Sequence, residues 1–207
     1  MSEISRTALF GKLNPLLYKA IEGATVFCKL RGNPYVELVH WIHQILNTND
    51  SDLHRIIRHF DLDAAKLAAD LTRSLDRLPR GATAISDLSE HIENAVERAW
   101  VYGTLKYGDS QVRSAYILVG LVKTMGLRNI LYGISKEFEK LGIDALSEKL
   151  GDIVKGSPED TLAASDGSGI GGEPGEASGA MAPAQMGKQE ALKKYAIDLT
   201  EKAKKGE

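Results

Sequence analysis

An ATP-hydrolysing site needs a glycine-rich loop that closes on Lys-Ser or Lys-Thr, because backbone N–H groups cradle the phosphates while the lysine and hydroxyl hold the terminal phosphate and magnesium. The densest glycine run here, Gly167, Gly169, Gly171 and Gly172, is followed by Glu173, with no strand before it and no lysine after it. No Gly-Lys-Ser or Gly-Lys-Thr occurs, so this chain alone is expected neither to bind nor to hydrolyse ATP. His40 and His43 lie three apart, within reach of one metal ion on a helix, but a site needs a third protein ligand and none is near in sequence. His54 and His59 are five apart and share a helical face poorly. These histidines read as surface or half-buried side chains. Glu22 and Glu97 have the separation of a repeated position; each is expected to hold its helix in register through a hydrogen bond or ion pair rather than to act as an acid or base. Cys28, beside Phe27, lacks a placeable histidine partner and reads as a small core residue. Trp41 and Trp100 are expected in the core or between repeats. No catalytic constellation emerges.

What remains is a chain built for packing and contact. It has 207 residues, 43% hydrophobic and 26% charged, with 26 basic and 28 acidic side chains and a net charge of −2. That balance excludes the basic footprint of a nucleic-acid binder, and 6% aromatic content gives little for base stacking. One cysteine excludes an intramolecular disulfide. No signal-like start and no run of about 18 apolar residues is present, so the chain is expected to be cytoplasmic.

The elements that must position any contact surface are helices. Asn14 can cap a helix whose first residue is Pro15. Leu17, Ile21, Ala24 and Cys28 then recur on one face until Gly32-Asn33-Pro34 ends it. Tyr35 to Leu46 is predicted as a second helix, a third starts at Asp52, and Ala64 to Leu78 forms a fourth before Pro79. Sheet content is predicted to be negligible. The pattern then restarts. Residues 20–31 (AIEGATVFCKLR) align with residues 95–106 (AVERAWVYGTLK) at an offset of 75, with five of twelve pairs identical. After one insertion Asn33 faces Asp109, Val36 faces Val112 and Leu46 faces Val122. Further on, Leu53, Ile56, Ile57, Phe60 and Leu67 are matched with Leu127, Ile130, Leu131, Ile134 and Leu141 at offset 74. This is an internal duplication of a four-helix unit. The predicted fold is all-α, a pseudo-twofold tandem repeat of two four-helix units packed on one core.

The domain reading is an N-terminal extension at 1–13, repeats at 14–79 and 80–155, a Gly/Ser/Ala/Pro linker at 156–187 and a short charged helix at 188–207. A double four-helix repeat followed by such a linker resembles the Clp N-terminal domain of AAA+ unfoldases, over residues 14 to about 154. Ala191-Leu192-Lys193-Lys194-Tyr195-Ala196-Ile197-Asp198-Leu199-Thr200 looks like the segment that opens the first AAA+ ring domain. The opening Ser5-Arg6-Thr7-Ala8-Leu9-Phe10-Gly11-Lys12-Leu13-Asn14-Pro15 and the run Gly32-Asn33-Pro34-Tyr35-Val36-Glu37-Leu38 resemble the ClpV branch of that family, which serves type VI secretion. The resemblance implies recognition of an N-terminal helix of the large sheath subunit (VipB/TssC-like), so that an ATP-driven hexameric ring disassembles the contracted sheath. It also implies that ATP and magnesium belong to ring domains outside this chain, which is then monomeric, cofactor-free and not an enzyme. The other reading is the N-domain of a ClpB-like disaggregase that holds unfolded polypeptides.

The sequence suggests where a partner docks. Ile4, Ala8, Leu9, Phe10 and Leu13 form an apolar set that precedes the first repeat. Ile85 and Leu88 lead into the first helix of the second repeat, which presents His91, Ile92 and Ala95. These residues are expected to form an apolar groove for an amphipathic helix anchored at i, i+3, i+4 and i+7. Alternatively Ile4 to Leu13 simply cover the core of the second repeat.

Overall fold

A computed structural model describes residues 4–167. The greater part of the expected linker and the charged helix at 188–207 lie outside the described residues. The helices are α1 (Arg6–Gly11), α2 (Pro15–Arg31), α3 (Leu38–Leu46), α4 (Asp52–His59), α5 (Ala64–Asp76), α6 (Glu90–Leu105), α7 (Ser114–Lys123), α8 (Met125–Ile134) and α9 (Ile143–Val154). Short 3-10 turns occupy Lys136–Lys140 and Pro158–Thr161. The all-α class holds, with one small addition: β1 (Tyr35–Val36) and β2 (Asp87–Leu88) pair in parallel.

Helix α2, the first of the first repeat, starts as its sequence dictates. The Asn14 side chain accepts from Leu17 N at 2.9 Å, and Pro15 opens the helix. Gly32 ends it with φ of 68°, a left-handed backbone that glycine adopts without strain. The predicted second helix begins later than Tyr35, because Glu37 caps it from an extended conformation and Val36 is spent on the β1 pairing. Val36 is therefore buried by strand pairing rather than by a helical face.

The two repeats bury matching positions along their first long helices. Buried Leu17, Ala20, Ile21, Ala24 and Cys28 of α2 correspond at offset 75 to buried Ile92, Ala95, Val96, Ala99 and Gly103 of α6. The connections obey the same pseudo-twofold: Leu88 pairs with Val36, and its counterpart Leu13 bridges Val112. Each repeat thus receives its neighbour's lead-in segment. The expected match of Leu67 with Leu141 is corrected. The 3-10 turn Lys136–Lys140 is inserted before α9, so Leu67, Leu71 and Leu75 correspond to Leu146, Leu150 and Val154 at offset 79.

The linker does not begin at 156. Ser157 caps the turn Pro158–Thr161, and this turn buries Glu159 completely. Glu159 accepts from Asn14 Nδ2 at 2.7 Å, Asp52 N at 2.9 Å and Ser114 N at 2.8 Å, and from the Ser114 hydroxyl. Asp52 and Ser114 open α4 and α7, so one carboxylate caps a helix in each repeat, where the positive ends of both dipoles favour it. The chain then continues as a packed segment: Ser165 N donates to Leu13 O and Asp166 N to Gly11 O, both at 2.9 Å. Composition misplaced this boundary because the residues that pack are small and polar.

His40 departs from the surface or half-buried expectation and is fully buried. Its Nδ1 accepts from Glu37 N at 2.9 Å, leaving Nε2–H to donate to Asn33 Oδ1 at 3.0 Å. Burial, helped by the nearby Arg31 guanidinium, pushes its pKa down to about 4. The unfolded chain takes up this proton near the ordinary histidine value of about 6.5, whereas the folded chain takes it up only near 4. The contribution is complete above the unfolded value and is lost as pH falls through this window. About 2 kcal/mol of stability should disappear between pH 7 and pH 5 through this residue. Urea melts of wild type and His40→Gln at pH 7, 6 and 5 check this, the variant being expected to show a shallower acid limb. An unchanged slope would assign that limb to other groups.

Candidate functional site

A helix of six residues has no stability of its own, so α1 forms only because the rest of the chain holds it. Ser5 caps it by accepting from Ala8 N at 3.2 Å. Leu9 and Phe10 are buried, and Leu13 bridges Val112. Arg6 reaches Asp87 at 2.7 Å and also pairs with Glu93 of α6. Lys12 lies 5.2 Å over the Trp100 ring, also on α6. The extension therefore packs along the first helix of the second repeat, as expected.

The open space lies on the other side of α1. A groove of ≈530 Å³ runs between α1 and α2. Arg6, Thr7, Phe10 and Gly11 line it from α1, and Tyr18, Ile21, Glu22 and Thr25 from α2, with Leu88, Ser165 and Asp166 completing the wall. The close return of the chain suits glycine at 11, where a Cβ would stand 3.1 Å from Asp166 Cβ and force the neighbour to give by a few tenths of an ångström. Lys12 pairs with Asp166 at 2.8 Å at this rim. The Arg6 guanidinium holds the Asp87 carboxyl below the usual carboxylate range.

Of the ten contact residues read from sequence, Phe10 and Leu88 line the groove. Ile4 and Ala8 are exposed on or beside α1. Leu9, Leu13, Ile92 and Ala95 are buried in the core and lie outside the lining. Ile85 and His91 are half-buried and lie outside the lining. The groove was thus expected against α6, but α1 occupies that surface and leaves α2 open. The α2 lining was missed because Leu17, Ile21, Ala24 and Cys28 drew attention to the core face. The available signal was the second stripe Tyr18, Ile21, Glu22 and Thr25, at helical spacing and carrying a 41%-exposed tyrosine. Ser165 and Asp166 were missed with the linker boundary.

The remaining candidates are structural. The Glu22 side chain makes no hydrogen bond or ion pair among the described residues, contrary to the expected register role, and the Glu97 side chain likewise shows none. Cys28 is buried, with Sγ 3.3 Å from Asn33 O. Trp41 is buried and Trp100 half-buried. His43 and His54 line a smaller pocket of ≈240 Å³ between α3, α4 and α5. No group of three metal-binding side chains occurs among the described residues. No single described helix is long and apolar enough to cross a membrane.

Two pseudo-twofold four-helix repeats with exchanged lead-in strands define the Clp repeat (R) N-terminal domain, whose family profile matches residues 12–134, and the chain belongs to that family. Among characterised proteins it is similar to the AAA+ ATPase ClpV1 of Pseudomonas aeruginosa, 64% identical over 206 residues. That match takes in 100% of this chain and 23% of the relative's length, so the chain spans under a quarter of ClpV1. A solved structure, from work on the coevolution of the ATPase ClpV, the TssB–TssC sheath and the accessory HsiE protein, is 65% identical with a TM-score of 0.75, covering 77% of this chain and 98% of that one. A ClpV N-domain solved in complex with VipB peptide shares the fold at 19% identity and a TM-score of 0.65, covering 74% of this chain and 94% of that one.

Proposed function

We propose that this chain is the partner-recognition module of a ClpV-type unfoldase of type VI secretion. In this reading it binds an N-terminal helix of the large sheath subunit, a VipB/TssC-like protein, in the groove between α1 and α2. A hexameric AAA+ ring then disassembles the contracted sheath. The module is a cytoplasmic, non-enzymatic monomer, and ATP and magnesium act in ring domains beyond it. The observation that carries the reading is that α1, an element outside both repeats, walls a defined, largely apolar groove against α2. The 64% identity to ClpV1 supports the same assignment. A general holder of unfolded chains needs broad apolar surface instead. A groove with a handful of anchors should bind its helix with micromolar affinity, roughly 7 to 8 kcal/mol. Titration with a sheath-subunit N-terminal peptide should saturate at one site, whereas an unfolded test protein should give no saturable signal. The reverse pattern would favour the ClpB-like reading.

A further inference from the structure

The pseudo-twofold makes the groove the counterpart of another site on the same molecule. On α6, α1 is held at Glu93 by Arg6 and at Trp100 by Lys12. At offset 75, Glu93 corresponds to Tyr18 and Trp100 to Thr25 of α2, and both of these line the groove. The surface of α6 that carries α1 is therefore repeated on α2, where it stands open. We propose that the groove takes a short amphipathic helix of α1's own kind, apolar on one face, with a basic side chain set against Glu22.

Charge fixes the second half of this proposal. Around the groove Arg6 is matched by Asp87 and Glu93, and Lys12 by Asp166. Glu22 lines the same groove, exposed and with no partner among the described residues. Among the described residues, the paired groups at this rim and Glu22 make two basic and four acidic side chains, and Lys19, one turn before Glu22 on α2, lines the neighbouring depression rather than the groove. The acid has moved one turn relative to α6: Glu93 meets Arg6 there, whereas α2 places Tyr18 at that position and Glu22 four residues on. A carboxylate on an apolar wall discriminates between ligand charges, because an acidic side chain placed against it is repelled in partly desolvated surroundings. The bound helix should thus resemble Arg6–Lys12 in alternating a small apolar face with basic flanks, its cation lying about one turn from the place Arg6 takes on α6.

This inference rests on the groove being a docking site, and its test does not use a sheath peptide. Two synthetic helices of about 15 residues, long enough to hold helical structure, would share one apolar face; one carries lysines and the other glutamates along its flanks. Titrated into the full chain, the lysine helix should bind about tenfold more tightly than the glutamate helix, a difference of about 1.4 kcal/mol. Glu22→Gln should abolish the preference, and Glu22→Lys should reverse it. Both variants should melt like wild type, since Glu22 is exposed on the surface of α2. Added salt should shrink the preference in wild type. Equal binding of the two helices to wild type, or an unchanged preference in Glu22→Lys, would overturn the proposal. If the lysine helix shows the Glu22-dependent preference while the sheath peptide fails to bind, the groove chemistry stands and the sheath assignment falls.

Discussion

Replacing Glu159 by alanine is expected to cost about 4 kcal/mol, because it strips the acceptor from several buried donors at once. Asp52 N, Ser114 N and Asn14 Nδ2 all point at this carboxylate inside the protein, where water cannot replace it. Asp52 is itself buried and held by Arg113 through two bonds at 2.7 and 2.8 Å; burial and the Asp52 charge push the Glu159 carboxyl up, and relief of that repulsion offsets part of the loss. For a domain of this size the melting temperature should fall by roughly 10 °C. Glu159→Gln should not rescue it. Oε1 accepts from Asp52 N and Oε2 from Ser114 N, so an amide in either orientation sets an NH2 group against one backbone donor. Ending the chain at 156 should be at least as harmful, since it removes the carboxylate together with the packed Ser165–Asp166 return. Denaturant melts of the three variants check this. Wild-type stability in the shortened chain would place residues 157–166 outside the folding unit.

Trp41→Ala should cost a similar amount, about 4 kcal/mol, for a different reason. Trp41 is the largest fully buried side chain, and its counterpart in the second repeat is the smaller Ile117. Its indole Nε1–H donates to Leu17 O at 3.2 Å, tying α3 to α2 beneath the groove-forming helix. Truncation leaves a large void in a core that cannot collapse around it, while Trp41→Phe fills most of the space and should cost about half as much. Chemical denaturation followed by helical circular dichroism reads both values. A loss under 1 kcal/mol for the alanine variant would mean that the two repeats repack freely, contrary to the interlocked lead-in strands.

The fold was legible because duplication wrote the same apolar stripe twice. Leu17 to Cys28 and Ile92 to Gly103 each announce a helix and each other. The site was harder to read for a physical reason. Helical spacing identifies the face that meets the core, and on α2 that face competes with the stripe Tyr18, Glu22 and Thr25, whose polar members look solvated. Which side of α1 is covered depends on Arg6 meeting Glu93 and Lys12 meeting Trp100, contacts between segments some 90 residues apart that no local pattern encodes. The return of Ser165 and Asp166 to Gly11 and Leu13 is made by backbone hydrogen bonds, which leave little trace in composition. His40 escaped for the same reason: its burial rests on Asn33 and Glu37 as partners, not on an apolar neighbourhood in sequence.

The groove between α1 and α2 is the proposed seat of the partner helix. Calorimetric titration of a large-sheath-subunit N-terminal peptide into wild type, Tyr18→Asp and Leu88→Asp tests it most directly. Tyr18 is exposed, so its variant should fold as wild type does, and Leu88→Asp probes the opposite wall. Wild type should bind with micromolar affinity, and loss of either anchor should cost about 2 kcal/mol, a weakening of about thirtyfold. Wild-type affinity in both variants, each with an unchanged melt, would place the docking site elsewhere on the domain.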